Sequence, residues 1–176
     1  MRETLTRRRW LVGTSAIAAC AWLGRARATV MEAMSLADLA RASDRVVLAR
    51  VGSARASWVS GRIVTDVDVQ IETALRGPAA PTTIRVRLPG GIVGDVGQQL
   101  AGAPELRAGE RYVLFLRNGD PGVYFTVGLS QGVLPVRSAR VWPADVTGLL
   151  VAGRAGPLVP AGGLSLTDFV SALAAR

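Results

Sequence analysis

Asp66, Asp68 and Glu72 fall at even-numbered positions of a strictly alternating stretch, so a strand there sets all three on one face. Oxygen ligands so placed could hold a hard cation, or serve as an acid/base pair. The next alternating stretch carries Arg85 and Arg87 on its own polar face. Pairing the two as a hairpin sets acid against guanidinium, and each cross-strand pair contributes up to about 1 kcal/mol. That structural use of the charges is the favoured expectation. Asp95 stands alone in a glycine-rich stretch, too little charge for a firm Ca²⁺ site.

Other catalytic groups are scarce. The 176-residue chain contains no His and no Lys, and its one cysteine is Cys20. This excludes a Ser-His-Asp or Cys-His arrangement, Schiff-base and Ser-Lys chemistry, and a phosphate-binding P-loop. No cofactor is implied. Gly90-Gly91-Ile92-Val93-Gly94 lacks the spacing of a dinucleotide loop, and its glycines read as turn formers. The remaining catalytic alternative is a hydrolase using carboxylates alone, drawn from Asp66, Asp68, Glu72 and Asp95.

The elements that position these residues are mostly strands. Ile63, Thr65, Val67, Val69, Ile71, Thr73 and Leu75 alternate with polar residues, which predicts a long strand with one wet face. Ile84, Val86 and Leu88 predict another. Val46–Val51 and Tyr112–Leu116 are continuous apolar runs, read as strands buried on both faces, and Val123–Val127 and Val133–Val136 complete a set of six. Asn118-Gly119-Asp120-Pro121-Gly122 has hairpin-turn composition. Ser35-Leu36-Ala37-Asp38 and Ser165-Leu166-Thr167-Asp168 look like helix caps, the first with Leu36, Leu39 and Ala40 on one face. The pattern predicts a mainly β domain: a small five- to six-stranded barrel with a short N-terminal helix and a C-terminal helix.

From Pro89 to Gly109 the chain carries five glycines at 90, 91, 94, 97 and 102 before the closing one. A structureless loop of this length is uncommon in a compact domain. It is expected either to hide a short strand near Gln98–Ala101 or to form the functional surface. Gly90, Gly91, Ile92, Val93, Asp95, Gln98 and Gln99, with Trp58 near a turn, are the candidate binding surface.

Several motifs together resemble a family of uncharacterised exported bacterial proteins. They are Ser43-Asp44-Arg45-Val46-Val47, Ala74-Leu75-Arg76-Gly77, Gly90-Gly91-Ile92-Val93-Gly94, Gly109–Leu116 and Gly128-Leu129-Ser130-Gln131-Gly132. The order from Leu36 to Val136 is also distantly similar to the netrin-like domains of tissue metalloproteinase inhibitors. That resemblance implies an OB-like barrel and a secreted peptidase as partner. Those inhibitors chelate the protease zinc through a disulfide-anchored N-terminal cysteine, and no cysteine follows Cys20 here, so that mechanism does not carry over.

Residues 1–28 carry an export signal. Thr6-Arg7-Arg8-Arg9-Trp10-Leu11-Val12 resembles the twin-arginine motif, with Arg7, Arg8, Trp10 and Leu11 as its readable positions. An apolar run from Leu11 to Leu23 is too short to span a bilayer, and Ala26-Arg27-Ala28 fits signal peptidase. The twin-arginine translocase and signal peptidase are therefore the partners during export. The alternative is lipidation at Cys20, within Ile17-Ala18-Ala19-Cys20. Domain limits follow: 1–28 signal peptide, 29–147 barrel, 148–163 Gly/Pro-rich linker, 164–176 C-terminal helix.

The net charge of +8 is concentrated in the leader; residues 29–176 hold 15 arginines against 12 acids, a net +3. That mixed surface argues against nucleic acid. Among the aromatics, only Trp58 is expected to be exposed. The sequence thus points to a periplasmic or secreted, non-catalytic binding module for a protein partner, without a membrane span.

Overall fold

The structure, a computed structural model, describes residues 29–78, 81–146, 149–152 and 158–175. In chain order the elements are β1 (Thr29–Glu32), α1 (Leu36–Ala42), β2 (Arg45–Val59), β3 (Arg62–Arg76), β4 (Thr83–Pro89), β5 (Gly91–Val93), β6 (Val96–Gln98), β7 (Arg111–Asn118), β8 (Val123–Thr126), a 3₁₀ turn (Leu129–Gly132), β9 (Val133–Arg137), β10 (Arg140–Val141), β11 (Leu149–Ala152), β12 (Leu164–Ser165) and α2 (Leu166–Ala174).

The fold is mainly β. One large mixed sheet runs in the order β12-β10-β9-β7-β2-β3-β4-β8. β8 lies parallel to β4 and antiparallel to β7, so the pairings β7-β2-β3-β4-β8 return upon themselves. Two cores follow. Inside that circuit, Val47, Ala49, Val51, Val67, Val69, Val86, Leu114 and Leu116 pack together. On the other face of β2, β7 and β9, Val46, Leu48, Val113, Phe115 and Leu134 pack against Leu39 of α1 and Phe169 and Leu173 of α2. β7 contributes to both, which is why Tyr112–Leu116 is apolar at every position.

Both helices begin as their caps predict. Ser35 accepts from the Asp38 amide at 3.1 Å, and the Asp38 carboxylate accepts from the Ser35 N–H at 3.2 Å. Ser165 accepts from the Asp168 amide at 3.1 Å. The six expected strands are present as β2, β3, β4, β7, β8 and β9.

Some elements differ from the sequence reading. The first apolar strand does not stop at Val51 but shifts register between Val51 and Ala54 and runs on to Val59. The anticipated strand near Gln98–Ala101 is a hairpin instead, β5 against β6, with Gly91 opposite Gln98; residues 99–101 are not in it. Within the stretch expected to be an irregular linker, Leu149–Ala152 forms β11, which pairs parallel with β1. Three or four residues of apolar sequence held only by a distant partner give no periodic signal. The rest of that stretch at 148 and 153–157 lies outside the described residues, as does the whole of 1–28.

Candidate functional site

The acids of β3 are engaged with guanidinium groups. Register places Asp66 opposite Arg87 and Asp68 opposite Arg85. Arg87 Nε and Nη2 donate to the two Asp66 carboxylate oxygens at 2.7 and 2.8 Å, a two-pronged contact mostly removed from solvent. Those hydrogen bonds hold the Asp66 carboxyl below its ordinary value, against the opposing effect of burial. Asp68 lies 3.5 Å from Arg85 and accepts from Ser53 Oγ at 3.1 Å. Glu72 bridges Arg111 at 2.6 Å and Arg50 at 3.0 Å. These carboxylates are spread along a strand against cations, not gathered across a cleft. Among the described residues no three metal-ligating side chains converge.

The glycine-rich stretch builds a hairpin pinned to the far end of β2 and β3. Gly90 N–H donates to Ile63 O at 2.9 Å, and Thr65 Oγ1 donates to Gly90 O at 2.7 Å. The Ile63 N–H donates to the Gln98 side-chain carbonyl at 2.8 Å. Gly91 has φ +138° and sits so close to Thr65 that a side chain there would collide with it and crowd Ala56, with Ile63 in contact beside them. Gly90, Gly91 and Gln98 therefore hold the hairpin rather than present it. Gly90 is buried, and Gln98 spends its carbonyl on β3.

What the hairpin presents is apolar. Ile92 is 75% exposed, and Val96 and Leu100 are also exposed. Trp58, at the end of β2 opposite Ile63, is 52% exposed. Val93 is half-buried, and Asp95 is exposed at the hairpin turn. Gln99 opens the segment Gln99–Arg107, which separates two clefts. One, about 740 Å³, is bounded by Tyr112, Ser130, Val133, Pro135 and Arg137. The other, about 710 Å³, lies between Ala54, Thr65, Val67, Leu88 and the hairpin. Tyr112 helps hold that segment: its hydroxyl donates to Glu110 at 2.8 Å and accepts from the Arg107 amide at 3.3 Å. Burial, and then the bond to Glu110, raise its pKa.

Three buried polar residues have no counterpart in the sequence reading. Arg45, only 7% exposed, stacks over the Tyr124 ring at 5.2 Å, and its Nε and Nη1 find no hydrogen-bond partner among the described residues. Gln131 ties the N-terminal segment down, accepting from the Met34 amide at 3.0 Å and donating to Glu32 O at 3.1 Å. Ser130 is buried, and its hydroxyl has no hydrogen-bond partner among the described residues. The Gly128–Gly132 motif marks the turn that carries Ser130 and Gln131. Nothing in the sequence marks Arg45 as buried.

The export residues Arg7, Arg8, Trp10, Leu11, Ala26 and Ala28, and Cys20, lie outside the described residues. No helix among the described residues is long and apolar enough to cross a membrane. No protein-family model and no curated protein matches the chain.

Proposed function

We propose that this chain is an exported, non-catalytic binding module that engages a protein partner through the β5–β6 hairpin and the adjoining rim at Trp58. The observation that carries this reading is the pairing of large exposed apolar side chains with a rigid support. Ile92 and Trp58 project from backbone that Gly90, Gly91, Thr65 and Gln98 lock in place. Aromatic and aliphatic anchors on preorganised backbone are what a protein interface uses, because little ordering entropy is lost on binding. The acids of β3 are already paired with guanidinium groups of β2, β4 and β7, which supports a role without turnover.

The circuit β7-β2-β3-β4-β8 reads as a small five-stranded barrel of OB-like kind, with β4 and β8 as its parallel pair. A secreted peptidase is the partner class that the likeness to metalloproteinase inhibitors suggests, by contacts other than an N-terminal cysteine. Twin-arginine export with cleavage after Ala28 delivers the domain to the periplasm or beyond. The intact mass of the exported protein separates that route from lipidation at Cys20.

A photo-crosslinker at position 92 tests the surface. Adducts with one protein should form in the exporting cell and disappear when the neighbouring exposed Val96 and Trp58 are replaced by aspartate, with the melting temperature nearly unchanged. Equal crosslinking from position 117, on the far hairpin, would show that the surface is misassigned.

A further inference from the structure

Strand β2 outruns the neighbour on one of its flanks. β7 pairs with it only from Arg45 to Arg50. Val51 then exchanges main-chain bonds with Glu110 and Gly109, at 2.9 and 2.8 Å. Past the register shift β2 continues to Val59 with β3 alone as its paired strand.

The turn decides which groups face the open flank. Ser60 and Gly61 both have positive φ, +48° and +76°, as a two-residue I′ hairpin requires. Val59 and Arg62 therefore form the closing hydrogen-bonded pair. Alternation then makes Trp58–Ile63 a pair without mutual main-chain bonds. Ile63 agrees: its N–H goes to Gln98 and its C=O to Gly90, both away from β2. The N–H and C=O groups of Ala54, Ala56 and Trp58 consequently point outward. No hydrogen bond within the described residues takes them up.

Beyond the register shift at its start, this edge carries little of the usual protection. It has no proline, and its one charge is Arg55, exposed and without an ion pair among the described residues. Ala54 borders the 710 Å³ cleft, whose opposite wall includes Leu106 and Arg107. The chain that would have continued β7 alongside β2 thus stands off and leaves a gap.

We propose that the Ala54–Trp58 edge receives an extended segment of a protein partner, which adds a strand to the sheet. Open donors and acceptors at strand spacing fit an extended backbone. Side chains of the added strand opposite Ala54 and Ala56 share their face, toward Leu106 and the hairpin, and call for apolar residues. Those opposite Arg55 lie on the outer face beside an unpaired guanidinium and call for acid. The occupant is therefore a segment alternating apolar with acidic residues. This rests on the protein-binding reading and specifies its mode.

The probe is a short capped peptide alternating valine with glutamate, titrated by fluorescence anisotropy into protein purified from the exporting cell. Saturable binding is expected, weakened at least about tenfold by N-methylating one alternate set of residues and less than about twofold by methylating the other, because only one set of N–H groups faces β2. Arg55→Glu should weaken it, as should lysine in place of glutamate. Ala56→Pro should remove it. Absence of binding, or equal losses from both methylated sets, overturns the proposal, and the methylated peptides decide even if Ala56→Pro misfolds. Self-association blocked by Arg55→Glu, with no peptide bound, would instead make the occupant a second copy. If crosslinking from position 92 persists while the peptide fails, the edge is wrong and the hairpin surface stands. If the peptide binds and that crosslink is missing, the edge stands and the hairpin surface is wrong.

Discussion

Asp66 and Arg87 make a two-pronged charge-assisted contact on the outer face of the sheet, at 2.7 and 2.8 Å. Arg87 holds the folded-state pKa of Asp66 below 3.8. The resulting stabilisation is complete above the unfolded-state value and is lost as pH falls through the lower folded-state one. Asp66→Asn should therefore reduce unfolding free energy by about 1–2 kcal/mol at pH 7 and by less at pH 2, because acidification moves the folded-state carboxyl toward its neutral form. Denaturant titrations at the two pH values check this, and an equal loss at both would locate the effect elsewhere. Arg45 is the reverse case, a buried cation with two nitrogens that no described residue pairs and one aromatic ring beside it. Burying such a group without partners costs more than the ring returns. Arg45→Met should thus be neutral or stabilising by up to about 2 kcal/mol. Ile92 contributes little to stability because it is largely in water, so Ile92→Asp should move the unfolding free energy by no more than about 0.5 kcal/mol while abolishing partner crosslinking from a photo-crosslinker at position 96. Of these residues the sequence marked Asp66, Arg87 and Ile92, through alternation and loop composition. Arg45 was not legible, because an arginine at a strand start reads as solvated until the ring beneath it is seen.

At the scale of elements, caps and close packing set the limits. The Ser35–Asp38 capping box starts α1, whose Leu39 fills the outer core. Ser35→Ala should cost about 1 kcal/mol, read as a lower denaturation midpoint. The β5–β6 hairpin depends on Gly91, where any side chain meets Thr65, Ala56 and Ile63. Gly91→Val should lift the hairpin from β3 and free the Ile63 amide from Gln98. Native-state hydrogen exchange at Ile63 should then accelerate, while the β7 amides keep their protection. Unchanged exchange at Ile63 would mean that the hairpin is held from elsewhere.

For the molecule as a whole, stability rests on packing, since no cysteine follows Cys20. Two cores on opposite faces of β7 take the place of a covalent staple. If export follows the twin-arginine route, replacing both Arg7 and Arg8 with lysine should leave an uncleaved precursor in the cytoplasm, visible by fractionation. Export undiminished by that change would point to another route.

Periodicity and capping motifs in the chain were sufficient for the mainly β class, for six strands and both helix starts, and for setting Asp66 and Asp68 against the pair Arg85 and Arg87; which acid meets which arginine came from the strand register. Each of these follows from local chemistry: capping side chains start the helices, alternation chooses the faces, and adjacency along the chain brings the acidic face of one strand beside the basic face of the next. Only the tertiary structure decided that β8 bridges β4 and β7, that β11 joins β1, and that β2 outlasts β7 along one flank. Those outcomes depend on which segments meet across long stretches of chain, or on where a partner strand happens to leave. A strand's own sequence records how its side chains alternate, but its main-chain edge is chemically the same whether a neighbour covers it or not.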